Sequence, residues 1–164
     1  MNEADARREA ARLIFAQRWF ALGTIDEHGV PNVSYVPFAV AGGAFSMVAS
    51  RLAAHSANLL ARRPASILLV DEGEPGRMQR DAYAQPRFSI GVDPRPQSRG
   101  SAPADAIWAS LEARHGATAA VLRTLPDFEA IALVPTGGRL VLGFASARDI
   151  DGPAIIDAFG LTAI

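Results

Sequence analysis

The stretch Phe45-Ser46-Met47-Val48-Ala49-Ser50-Arg51-Leu52-Ala53-Ala54-His55-Ser56-Ala57-Asn58-Leu59 passes from a strand pattern to a helical one with no loop between them. Phe45 to Ala49 reads as a short strand, and Arg51 to Arg63 as a helix stopped by Pro64. At about 100° per residue, Arg51, His55, Asn58 and Arg62 share one stripe of that helix, and Leu52, Leu59 and Leu60 a separate apolar face. A polar ridge therefore begins at the strand-to-helix junction. A helix start offers unpaired N–H groups and a partial positive charge, so Ser50, Arg51 and His55 could together seat a phosphate. A solvated face with Ser50 as an ordinary N-cap explains the same residues, and the pattern leaves both readings open.

Upstream, Ala6, Ala10, Leu13, Ile14 and Gln17 recur at spacings of three and four, which predicts an amphipathic helix over Asn2 to Gln17. Trp19 to Ile25 reads as a strand joined through the turn Asp26-Glu27-His28-Gly29 to a second strand, Val30 to Val40. Gly42 and Gly43 turn the chain back into Phe45 to Ala49, completing a meander. Downstream, Ala65 to Val70 is a buried strand, an irregular segment lies between Glu72 and Pro86, and Arg87 to Val92 is a strand. The Pro-, Gly- and polar-rich stretch that follows is expected to be a surface loop, 93–102.

Pro103 opens a helix whose Ala104, Trp108, Leu111 and His115 share a face, with Gly116 at the C-cap position. A brief helix is expected over Ala119 to Leu125. Phe128 to Val134 and Arg139 to Phe144 then read as a closing hairpin about Pro135-Thr136-Gly137-Gly138, and the tail 151–164 as a final helical turn or two. About seven short strands with helices at the ends make a mainly β (α+β) fold, a small antiparallel barrel.

A length of 164 residues, 49% of them hydrophobic, fits one domain, 1–164. A net charge of -1 provides no field for a polyanion, so nucleic acid is not expected as a partner. All the cations are Arg, which suits phosphate or carboxylate and also fits genomic bias. The absence of cysteine removes disulfides, thiolate metal sites and thiol nucleophiles, and three scattered His match no metal-ligand spacing. There is no Gly-x-Ser-x-Gly elbow and no phosphate loop. No apolar run reaches membrane-spanning length and the start is acidic and helical, so a soluble cytoplasmic protein is expected.

Taken in order, Leu22-Gly23-Thr24, Asn32 to Phe38, the helix Leu52 to Leu60 with its His55 and Asn58, and Pro64 to Leu69 resemble the FMN-binding split barrels of the pyridoxamine phosphate oxidase superfamily. Pro86 to Gly91, Val121 to Phe128 and Gly138 to Phe144 extend the likeness toward its heme-utilisation branch. The resemblance implies an antiparallel split β-barrel with flanking helices, a homodimer, and a cofactor in the groove between protomers. It places an FMN phosphate near Ser50, Arg51, His55 and Asn58, where many members carry Lys in place of His55. It lays the flavin ring along the strand holding Ser34, Tyr35 and Pro37. In the heme branch it implies an axial His from the C-terminal tail, whereas 151–164 holds none, and it turns Arg87 and Asp127 toward the pocket.

The residues also admit plainer roles: a turn cap for Asp127, a carboxylate partner for Arg87, core packing for Trp19 and Trp108. The expected function is an FMN-dependent oxidoreductase acting on a small molecule. A heme-binding or heme-degrading protein and a cofactor-free binding module are the alternatives. No residue is assigned a catalytic role, because an aromatic cofactor would carry the electron chemistry itself.

Overall fold

Alternation along the strands sets the barrel wall. In β1 (Trp19–Ile25) Phe20, Leu22 and Thr24 are buried while the residues between them face outward. β2 (Pro31–Pro37), β3 (Ala39–Ala41), β4 (Ala44–Ser50), β5 (Ala65–Val70), β6 (Arg87–Gln97) and β7 (Phe128–Val141) follow, and β8 (Ala147–Asp151) pairs with β7. The computed structural model describes residues 2–71, 73 and 81–163. The expected irregular segment after Asp71 falls at 72 and 74–80 outside the described residues, and its end carries a single 3-10 turn at Ala82–Ala84.

Every pairing is antiparallel, in the order β2-β1-β5-β6-β7-β4-β3. β2 and β3 stand at opposite ends of that order but are separated in sequence only by Phe38. The predicted strand Val30 to Val40 is thus two segments, one on β1 and one on β4, and the bend at Phe38 joins the two ends of the sheet through the chain. Phe38 itself is fully buried between Phe20 and Phe45, with centroids 5.0 and 5.6 Å away. Phe45 also meets Phe159 edge-on at 5.0 Å. Phe159 belongs to α5 (Gly152–Phe159), so the tail is a helix that packs on the core through Ile155 and Ala158.

Two expectations give way to long-range pairing. The predicted loop 93–102 is strand as far as Gln97, because β6 continues along β7 after β5 has ended at Ala65↔Val92. Pro94 and Pro96 are tolerated there since, past Val92, the missing N–H groups can face the side with no partner strand. The predicted closing hairpin is instead one continuous strand, β7, paired with β6 from Ala130 to Val141. Thr136 is the extra residue of a bulge opposite Gly91 and Val92, so Pro135 to Gly138 bends the strand rather than reversing it. Gly138 permits this approach, since a Cβ there would stand 2.6 Å from the Ser89 carbonyl oxygen. The hairpin that does form joins β7 to β8.

The helices cover the barrel much as their patterns predict. α1 (Glu3–Ala16), capped by the Asn2 side chain, buries Ala6, Ala10, Leu13 and Ile14. α3 (Ala102–His115) and α4 (Ala117–Thr124) build a second apolar cluster of Ile107, Trp108 and Leu111 against Ala39 and Ala130. Trp108 is therefore core, and Gly116 ends α3 at φ 70°. Arg114 donates to the carbonyls of Phe15 and Gln17 while Arg18 donates to that of Arg114, so the ends of α1 and α3 cap one another. No helix among the described residues is long and apolar enough to cross a membrane.

Candidate functional site

The junction after β4 differs from the predicted ridge in ways that matter chemically. The helix α2 is short, Ala54–Leu60, and its N-cap is Ala53, not Ser50. Residues 51–53 form a turn fixed by Arg51 N–H donating to the Asp127 carbonyl and Ala53 N–H to the Ser50 carbonyl. Arg51 therefore precedes the helix, and the stripe Arg51-His55-Asn58-Arg62 is not a continuous face. Leu52, expected to share an apolar face with Leu59 and Leu60, is 90% exposed, whereas Leu59 is buried.

Ser50 donates its hydroxyl to Asp127 Oδ2 at 2.6 Å and accepts from the Leu52 N–H. Asp127 is thus tied to the junction rather than merely capping its own turn. Arg51 spends its guanidinium on Glu129, with Nε 2.7 Å from Oε1. A phosphate placed here would compete with two carboxylates for the two donors meant to hold it, and a seven-residue helix adds little dipole. The arrangement does not fit a phosphate seat.

Deeper in, α2 lies on the barrel mouth through a polar layer. Asn58 is buried and its Nδ2 donates to the Thr24 hydroxyl at 3.1 Å. Ser56 donates to the Ser50 carbonyl. His55, half-buried, places Nδ1 2.9 Å from Ser34 Oγ, and Ser34 donates its own hydroxyl to Asn32 Oδ1 at 3.1 Å. Burial pushes the His55 imidazole below its ordinary value, which favours the neutral ring.

The remaining predicted residues lie elsewhere. Tyr35 and Pro37 sit on the outer face of β2, where Tyr35 stacks on Trp19 at 4.5 Å. Trp19 is accordingly only partly covered, not core. Arg87 stands opposite Val141, at the far end of β7 from Phe128, which pairs with Ser50. A strand of 14 residues, about 3.3 Å per residue, separates it from Arg51. Among the described residues its guanidinium donates to the Gln85 carbonyl. Within one chain, then, Ser34, Ser50, Arg51, His55, Asn58 and Asp127 come together, while Tyr35 and Pro37 lie on the neighbouring face and Arg87 stands apart.

The sequence reading overlooked Thr24, Asn32 and Glu129. Thr24 had a signal, a polar residue at an inward position after Phe20 and Leu22. Glu129 had none, since its meeting with Arg51 depends on the β4–β7 register.

The outer wall near Tyr35 is apolar and open. Val33 is 75% and Tyr35 64% exposed, and Ile25 and Leu68 are also exposed, with Ala21 lying between Tyr35 and Leu68 in the register. These residues carry no charge.

Comparison with known proteins agrees with this architecture. The profile of the family described as Pyridoxamine 5'-phosphate oxidase matches residues 6–142. Heme oxygenase HutZ of Vibrio cholerae serotype O1 is 30% identical over 137 residues, which cover 83% of this chain and 76% of that protein. The solved structure of HutZ, described as the heme storage protein from Vibrio cholerae, superposes with a TM-score of 0.69 at 25% identity over 82% of this chain and 91% of that one. A heme binding protein from Mycobacterium smegmatis shares the fold at a TM-score of 0.81 and 24% identity over 93% of this chain, which spans 60% of that longer chain. The chain belongs to the pyridoxamine 5'-phosphate oxidase family of split barrels and is related to its heme-utilisation proteins.

Proposed function

We propose that this protein binds heme, in a cleft that a second copy completes, and acts in heme utilisation by holding or degrading it. The observation that carries this reading is the 30% identity to heme oxygenase HutZ across 83% of the chain. The local geometry supports it. A porphyrin needs an apolar lining, a neutral nitrogen for its iron and cations for its carboxylates. Exposed Leu52 and Leu60 supply apolar surface around α2 and His55 supplies a neutral ring, while Arg51 would have to leave Glu129 to meet a heme carboxylate. Heme, when bound, supplies the iron and the oxygen chemistry; the chain's own residues bind it, orient it and exclude water.

Pairing of two copies through the open β2-β1-β5 face would bury Val33, Tyr35 and Leu68, an uncharged surface suited to a two-fold contact. Arg87 can join the α2 cluster only from such a second copy. The flavin reading rests on the family match, and the Ser50–Asp127 and Arg51–Glu129 pairs weigh against it.

Titration of the apoprotein with hemin, followed by absorbance, tests the proposal. A Soret band that saturates at a defined stoichiometry is expected, with no saturable uptake of FMN in parallel. Saturable FMN uptake without a defined hemin complex would restore the oxidoreductase reading, and uptake of neither would leave a cofactor-free binding module.

A further inference from the structure

We infer that the junction Asp151-Gly152 is a site of spontaneous isoaspartate formation, and that the packing of α5 is what holds the reaction off in the folded chain. The inference stands apart from the heme reading.

An aspartate followed by glycine is the aspartate most open to attack by the next backbone nitrogen, because glycine has no Cβ to hinder the approach. That pair occurs once in the sequence, at 151–152, and Asn-Gly does not occur. Two separate structural demands put it there. Asp151 is the N-cap of α5, its Oδ1 accepting from the Ala154 N–H at 2.8 Å, and a cap calls for a short polar side chain. Gly152 is buried where β8 passes into α5, and a Cβ on it would stand 2.6 Å from the Pro135 carbonyl oxygen. The vulnerable pair is therefore imposed by the way α5 is attached.

The folded geometry opposes the reaction. A five-membered succinimide ring needs the Gly152 nitrogen near the plane of Asp151 Cβ, Cα and C, whereas a ψ of 164° holds it well out of that plane. The cap bond keeps the carboxyl turned toward Ala154, and the Pro135 carbonyl crowds the Gly152 backbone. Opening of α5 releases these restraints together. Such an opening exposes Ile155 and Ala158, both fully buried, and parts Phe159 from Phe45, whose centroids lie 5.0 Å apart.

In the opened chain the Gly152 nitrogen bonds to Cγ of the protonated Asp151 carboxyl, and the carboxyl hydroxyl leaves with the nitrogen's proton as water. Water then opens the succinimide at the main-chain carbonyl, leaving Gly152 joined through the former side chain. The sum is an isomerisation that consumes no oxidant or reductant. It adds a methylene to the main chain between β8 and α5 and shortens the side group, so the bond to the Ala154 N–H is lost and α5 no longer seats in register.

The test incubates wild type, Ile155→Ala and Asp151→Ser at neutral pH, in buffer and in unfolding urea, and locates isoaspartate by peptide mapping with electron-transfer mass spectrometry. In urea, wild type should accumulate isoaspartate at 151 faster than at any other aspartate. In buffer it should do so at least about tenfold more slowly, in proportion to the population with α5 open. Ile155→Ala, which removes buried contacts of α5, should isomerise in buffer at least about tenfold faster than wild type. Wild type in urea below its unfolding transition gives the same comparison without a substitution. Asp151→Ser keeps a cap, forms no isoaspartate here, and should hold its Tm on ageing while wild type loses part of its own. Absence of isoaspartate at 151 in unfolded wild type overturns the assignment of the site. Equal rates in buffer and urea, or a rate unmoved by Ile155→Ala and by low urea alike, overturn the role of α5.

Discussion

Replacing Asn58 tests whether α2 is fixed by its buried polar contact or only by apolar packing. Asn58 is 4% and Thr24 3% exposed, and they meet through one hydrogen bond of 3.1 Å. Asn58→Ala leaves the Thr24 hydroxyl short of a partner in a dry setting, a loss of about 1–3 kcal/mol. Thr24→Val preserves the shape, strands the Asn58 amide and costs a similar amount. With both changed, no group is left stranded on account of the other, so the double variant should lose about 1 kcal/mol less than the sum of the two single losses. For a single domain of this size a 2 kcal/mol loss lowers Tm by about 4–8 °C. Urea unfolding of the four proteins gives the coupling directly. Additivity of the two losses would refute the contact's role, and α2 would then owe its place to Leu59 and its neighbours alone.

Three further outcomes follow from other parts of the fold. Gly138→Ala should be destabilising by several times more than Gly91→Ala, because the first drives a Cβ to 2.6 Å from a backbone oxygen and the second to 2.9 Å from the movable Thr136 hydroxyl; equal losses in urea melts would contradict the bulge geometry. The Val30 N–H, with that of His28, holds the Asp26 carboxyl below its usual range. Its folded value lies below the unfolded one, so its stabilisation is present above the unfolded carboxylate range and is lost as pH falls through the folded value. Asp26→Ala should therefore cost stability at neutral pH and progressively less in acid, and a pH-independent offset would refute this. Val33→Asp with Tyr35→Arg should shift the protein to monomer in sedimentation, and an unchanged assembly would exclude the β2-β1-β5 face as the contact.

Local spacing made much of this molecule legible. The three- and four-residue recurrence in α1, the alternation in β1, the apolar run of β5 and the Gly116 stop of α3 each act within a few residues, and each stands as read. Register does not act locally. Pro135-Thr136-Gly137-Gly138 has the composition of a turn, and only the presence of β6 alongside makes it a bulge. Pro94 and Pro96 read as loop until β5 is seen to end before them. At the site, the types of residue gathered around α2 were visible in the sequence but their partners were not. Arg51 and Ser50 read as anion donors because Glu129 and Asp127, about eighty positions away, could not be placed beside them. His55 stood out as a polar residue on a helix, yet its ring partner, Ser34 on β2, is 21 positions away and could not be placed beside it.

The most direct measurement is the absorbance spectrum of the protein purified from heme-replete cells, followed by denaturation and identification of whatever is released. A Soret band and extractable heme are predicted. Flavin bands, with FMN recovered in stoichiometric amount, would contradict the heme reading and return the junction after β4 to the role of phosphate seat.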